Sequence, residues 1–160
     1  MRRDDNMNEI VDRLRYKNKT ISMMESCTGG GVCNAITDIP GASDILKFSA
    51  VTYSNEYKIK MGVSNLVIDK YSVYSIETAR EMSKNISLFS NSDYGVGITG
   101  KLNRIDINNK YGMDNRVYIS IYDREKDIYY DYYAPVSSDN RVENKKVVID
   151  FIINKLLEIL

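Results

Sequence analysis

The 160-residue chain contains no histidine. That excludes a Ser-His-Asp arrangement and leaves lysine as the obvious base for any serine nucleophile. Cysteine is scarce too. Cys27 and Cys33 are too few for a disulfide framework, and without histidine a zinc site is implausible. They read as small buried thiols in a reducing cytosol. The other reading is a reactive Cys27 thiol at a helix N-terminus. Net charge is absent, with 22 basic against 22 acidic residues. A neutral chain lacks the basic footprint of a nucleic-acid binder, so the expected ligand is a small molecule. No apolar run approaches the roughly 20 residues that cross a bilayer. The opening MRRDDNMNEI has no apolar signal core. The expectation is a cytoplasmic protein with no membrane partner. With no repeat and no linker, residues 1–160 read as one domain.

What is present is a succession of helical and extended patterns. Met7, Ile10, Val11 and Leu14 recur at helical spacing and predict an amphipathic helix over residues 6–16. Thr20 to Met24 predicts a strand, and Val32 to Ile36 a helix behind a glycine turn. Phe48 to Tyr53 is β-rich, and residues 56–61 predict a short helix. Ser75 is a good N-cap for a helix carrying Ile76, Ala79, Met82, Ile86 and Phe89. Tyr94 to Ile98 alternates large residues with Gly95 and Gly97, which implies close approach of another backbone or a ligand. Val117 to Tyr122 and Ile128 to Ala134 predict strands joined by a polar hairpin. Val148 to Ile159 predicts a C-terminal helix. Lys101 to Asn115 is the expected exposed, mobile loop. Helices among the early strands, then a late hairpin, predict an α/β layered fold with a mixed sheet.

Residues Glu25 to Lys58 carry the candidate chemistry. Ser26-Cys27-Thr28-Gly29-Gly30-Gly31 follows a predicted strand and opens a predicted helix. Backbone N–H groups of such a turn can hold an anion, with the Ser26 and Thr28 hydroxyls as added donors. Its other reading is a tight strand–helix turn. No lysine follows the glycines, so it is not a Walker motif. Ser43, after Pro40-Gly41-Ala42, is either a nucleophile or a helix N-cap. Lys58 is either a solvated lysine or a base whose pKa burial must lower. Tyr53 either packs in the core or directs its hydroxyl at Ser43 or Lys58.

The segments ESCTGG (Glu25 to Gly30), TDIPGAS (Thr37 to Ser43), VTYSNEYK (Val51 to Lys58) and Gly62-Val63 together resemble the CinA C-terminal domain family. Weaker matches are VYSIETAREM (Val73 to Met82) and the ITG ending at Gly100. Stand-alone members of that family include bacterial nicotinamide-nucleotide amidohydrolases. The resemblance implies a three-layer α/β/α sandwich with a mixed sheet and a homodimer with sites near the subunit interface. It implies hydrolysis of nicotinamide mononucleotide to nicotinate mononucleotide and ammonia, with no metal or cofactor. Carried over, Ser43 matches the nucleophile, Lys58 its base and Tyr53 an assisting hydroxyl. Backbone N–H groups near the Gly41 turn are the oxyanion donors that physical logic then expects. Ser26 and Thr99 match polar residues lining the substrate site. On physical grounds, the glycine-turn amides of Thr28, Gly29 and Gly30 are the expected holders of the phosphate. Two departures stand out. Lys101-Leu102-Asn103-Arg104-Ile105 replaces the family's glycine- and proline-rich loop. Ser138-Asp139-Asn140-Arg141 replaces a G-D-R motif, with the arginine displaced by one. The rival readings are a non-catalytic nucleotide-binding or regulatory protein, and an amidase with another substrate.

Overall fold

The computed structural model describes residues 2–160. The chain opens with α1 (Arg3–Lys17), which buries Met7, Ile10, Val11 and Leu14 as their spacing predicts. Then come β1 (Ile21–Glu25), α2 (Gly31–Thr37), a 3-10 turn (Ala42–Asp44) and β2 (Leu46–Val51). α3 (Asn55–Lys60), α4 (Asn65–Tyr71) and α5 (Ile76–Ser90) lead to β3 (Tyr94–Gly100). β4 (Arg116–Asp123), β5 (Ile128–Pro135) and α6 (Arg141–Ile159) complete the chain. α5 begins where its N-cap predicts, with the Ser75 hydroxyl accepting from the Thr78 amide. α4 has no buried residue, and α6 starts seven residues before the apolar pattern that announced it.

The five strands form one sheet in the order β2-β1-β3-β4-β5. β1 pairs in parallel with β2 and with β3, whereas β3, β4 and β5 pair antiparallel. The sheet is therefore mixed, and the fold is the expected three-layer α/β/α sandwich. α1, α2 and α6 cover one face through Leu14, Ile36, Ile152 and Leu156 against Met23, Val96 and Ile119. α5 covers the other, where Met82 and Ile86 meet Met24 and Val63. Each such side chain contributes roughly 1.5–3 kcal/mol by leaving water.

Gly95 and Gly97 have a physical reason in this second layer. A Cβ on Gly95 would lie 1.9 Å from the Ser83 carbonyl oxygen, and one on Gly97 2.2 Å from that of Ala79. The close partner anticipated from these glycines is thus the backbone of α5.

Topology decides which residues meet. β1, β2 and β3 point the same way, so Ser26, Thr52 and Gly100, at or just past their carboxyl ends, share one edge of the sheet. Antiparallel pairing brings the start of β4 and the end of β5 to the same edge, and so also the start of α6. The chain runs from β1 to β2 on one side and then, through α3, α4 and α5, crosses to β3 on the other side of β1. The crevice outside the carboxyl ends of such strands is the usual ligand position in open α/β sheets.

Candidate active site

At that edge lies a cavity of about 820 Å³, lined among others by Ser26, Cys27, Tyr53, Lys58, Gly100 and Arg141. Lys58 reaches it from α3, whose N-terminus is capped by the Ser54 hydroxyl accepting from the Tyr57 amide. The Lys58 side chain is only 2% exposed. Its Nζ donates to the Thr52 carbonyl at 2.5 Å and lies 3.0 Å from Ser26 Oγ. Burial pulls the Lys58 pKa down to about 8, with the neighbouring Cys27 acting in the opposite direction. A neutral amine keeps two N–H bonds and one lone pair. The Thr52 carbonyl can only accept, so it holds one N–H and leaves the lone pair for the Ser26 hydroxyl. A serine hydroxyl, an amine that can accept its proton and a carbonyl that orients the amine are thus in contact.

The expected Ser43–Lys58 contact does not form within the chain. Ser43 is exposed in the 3-10 turn that precedes β2, beside Asp44, which pairs with Arg15 of α1. β2 runs parallel to β1 from Leu46, opposite Ile21, to Val51, opposite Glu25. Its six residues carry the chain about 20 Å, from the amino edge to the carboxyl edge of the sheet. Ser43 and the Gly41 turn therefore lie at the wrong end for Lys58. Ser26, expected only to line the site, is the serine that the lysine touches. Tyr53 does enter the cavity, as expected, but from its rim. It is 67% exposed, and its hydroxyl accepts from Arg141 Nη2 at 3.4 Å.

The glycine turn also differs from expectation. The Gly29 and Gly31 amides donate to the Ser26 and Thr28 carbonyls at 2.9 and 3.0 Å. The next two amides, on Val32 and Cys33, donate to the two carboxylate oxygens of Glu25 at 3.1 and 3.0 Å. The Thr28 hydroxyl donates to the same carboxylate at 2.5 Å. Glu25 is fully buried, so the anion at this helix start is the chain's own side chain. Thr28, Gly29 and Gly30 do not line the cavity, and the tight-turn reading is the one realised. Thr99 is likewise structural. It is buried, and its hydroxyl donates to the Val73 carbonyl at 3.0 Å, leaving Gly100 to face the cavity. Cys27 faces the cavity, but burial pushes its thiol up to about 12, against the pull of Lys58 and Arg141. That argues against the reactive-thiol reading.

The segment after β3 forms a wall of the cavity, and it is fastened at several points. Lys101, in the segment expected to be exposed and mobile, is 5% exposed. Its Nζ donates to the carbonyls of Lys110 and Gly112 and to Asp114. The Tyr74 hydroxyl donates to Asp106 at 2.5 Å, and Asn55 bonds Asn109 at 3.1 Å. Leu102 and Asn103 adopt positive φ angles of 52° and 63°. The Leu102 side chain is completely buried, and Asn144 of α6 donates to its carbonyl at 3.1 Å. Strained backbone of this kind persists where its surroundings over-determine it. Sequence reasoning missed Tyr74, Asn109 and Asn144. Asn144, a buried polar residue on an otherwise apolar helix face, was the one available signal.

Among the described residues, no helix is long and apolar enough to cross a membrane, and no three His, Cys, Asp or Glu side chains cluster to hold a metal. The sequence model of the CinA C-terminal domain matches residues 3–160. A CinA-like protein of Endomicrobium trichonymphae is 36% identical over 157 residues, covering 96% of this chain and 36% of that protein. A CinA-like protein of Fervidobacterium nodosum is 41% identical over 99 residues, covering 61% of this chain and 24% of its own length. The chain thus spans about a quarter to a third of these relatives. Among solved structures, a CinA superfamily protein from Escherichia coli superposes with a TM-score of 0.90 at 20% identity, covering 99% of this chain and 91% of that one. The competence/damage inducible protein CihA from Agrobacterium tumefaciens gives 0.88 at 21% identity, covering 98% and 94%. These likenesses establish the fold, and the match over residues 3–160 establishes membership: the chain belongs to the CinA C-terminal domain family.

Proposed function

We propose that this protein is an amidohydrolase acting on the carboxamide of nicotinamide mononucleotide, with Ser26 as nucleophile and Lys58 as its base. The observation that carries the reading is the buried Lys58 Nζ, 3.0 Å from Ser26 Oγ and tethered to the Thr52 carbonyl. Neutral Lys58 takes the hydroxyl proton as Ser26 attacks the amide carbon. The tetrahedral intermediate collapses when Lys58 returns that proton to the nitrogen, releasing ammonia and leaving an ester on Ser26. Water, deprotonated by Lys58, attacks the ester and frees the carboxylate product and Ser26. The backbone amide after the nucleophile, on Cys27, is the natural donor to the oxyanion. Arg141 and Tyr53 meet the ligand at the rim, and no step calls for a metal or cofactor. The working unit in this reading is a cytoplasmic homodimer. Exposed Phe48 and Val51 on edge strand β2, with Phe89 against Phe48, support pairing of two copies.

The test is ammonia release measured side by side with nicotinamide mononucleotide, nicotinamide and glutamine. The nucleotide is expected to be the substrate. Release from glutamine alone would give the activity to another amide. Tight binding of the nucleotide with no ammonia over long incubation would overturn catalysis in favour of a nucleotide-binding regulator.

A further inference from the structure

Charge on the cavity wall is unevenly satisfied. Four basic residues line the cavity: Lys58, Lys101, Arg104 and Arg141. Lys58 is the buried amine beside Ser26, and Lys101 is spent inside the wall on two carbonyls and Asp114. The one acidic liner, Asp106, is also spent. It accepts from the Tyr74 hydroxyl at 2.5 Å, the Asn109 amide side chain at 3.2 Å and the Asn108 backbone at 2.9 Å. Two guanidinium groups remain. Arg104 is exposed and Arg141 half-buried, and neither has a carboxylate partner among the described residues. The segments that carry them are tied together. Asn144 donates to the carbonyls of Leu102 and Ser138, and Asn103 donates to that of Ser138. The wall therefore fixes the backbone beneath Arg104 close to the start of α6, where Arg141 sits.

We propose that Arg104 and Arg141 together form a clamp for a phosphate monoester on the ligand, and that Arg104 is a specificity-determining residue of this site. A phosphate monoester carries nearly two negative charges and several acceptor oxygens, which suits two guanidinium forks. A carboxylate, with one charge, is met by a single fork. The glycine turn is not available for this task, because Glu25 already occupies its helix start. Ile105 and Ile107 also line the cavity and are 80% and 81% exposed, so the same wall offers apolar surface to the body of a nucleoside. The proposal rests on the amidohydrolase reading for its choice of nucleotide, but phosphate recognition is measured separately from turnover.

The experiment is calorimetric titration of an inactive Ser26→Ala protein with nicotinamide mononucleotide and with its riboside, which lacks the phosphate. The nucleotide is expected to bind at least about tenfold more tightly than the riboside. Arg104→Ala and Arg141→Ala should each erase most of that ratio. Arg104→Lys should restore part of it, and Lys126→Ala, which removes a cation on the β4–β5 turn, should change nothing. Equal affinity for the two ligands, or an Arg104→Ala variant that keeps the full ratio, overturns the clamp. If the wild-type protein releases no ammonia yet phosphate preference still depends on Arg104, the hydrolase reading falls and the clamp stands. If ammonia is released and Arg104→Ala leaves kcat/KM unchanged, the clamp falls alone.

Discussion

A lysine acts as a general base only when it can lose its proton near the working pH, and burial is the ordinary means of arranging that. Lys58 is 2% exposed and, among the described residues, has no carboxylate partner, so burial lowers its pKa from 10.5 to about 8. The sign of the consequence is fixed. Below about 8 the amine carries a proton and cannot accept another from Ser26; above it, the lone pair is free. The kcat/KM for ammonia release should therefore rise as pH climbs through about 8 and level off beyond it. No histidine is present to imitate this limb, and the Cys27 thiol titrates only at about 12. A profile whose rise is centred near the unperturbed 10.5, or one with no rise between about pH 7 and 9, contradicts Lys58 as the base.

Among the elements, the turn from β1 into α2 carries Ser26, the proposed nucleophile, and Glu25 fastens that turn. Its carboxylate fastens the Thr28 hydroxyl and the Val32 and Cys33 amides, so the turn closes around the residue next to Ser26. Glu25→Gln keeps the volume but turns one acceptor oxygen into an N–H donor that faces backbone N–H groups. We expect a folded protein destabilised by about 1–3 kcal/mol, with kcat lowered by about tenfold or more and KM little changed. Thermal unfolding with a KM-against-kcat comparison checks this. An unchanged kcat would show that Glu25 serves stability alone. The sequence made this element legible as a strand, a glycine turn and a helix. It did not tell which anion the turn holds, because one carboxylate supplied by the preceding strand is indistinguishable from a ligand site until its side chain is seen. The late loop was harder still. Its polar composition signals exposure, whereas its position depends on Lys101, Tyr74, Asn109 and Asn144 meeting residues remote in the chain.

At the scale of the whole molecule, the order of elements announced an α/β layered fold with a mixed sheet, the family resemblance implied its three layers, and Gly95 and Gly97 signalled close approach of a backbone or a ligand. The pairing of serine and lysine was not legible in this way. Ser26 and Ser43 both stand beside glycine turns, and Ser43 is nearer to Lys58 in the chain. Spatial proximity instead follows strand direction. Residues that come after the parallel strands β1, β2 and β3 gather at the carboxyl edge, whereas Ser43 comes before β2 and is carried to the opposite edge. Direction is a property of the assembled sheet, and local pattern does not contain it. The central claim is therefore that Ser26, not Ser43, is the nucleophile. Its most direct measurement is ammonia release from nicotinamide mononucleotide by Ser26→Ala and Ser43→Ala proteins prepared in parallel. Each should fold, because among the described residues Ser26 Oγ has only Lys58 as a side-chain partner, and Ser43 is exposed. The account predicts loss of activity by at least about a thousandfold in Ser26→Ala and near-wild-type turnover in Ser43→Ala. The reverse pattern, with Ser43→Ala inactive and Ser26→Ala active, would contradict it.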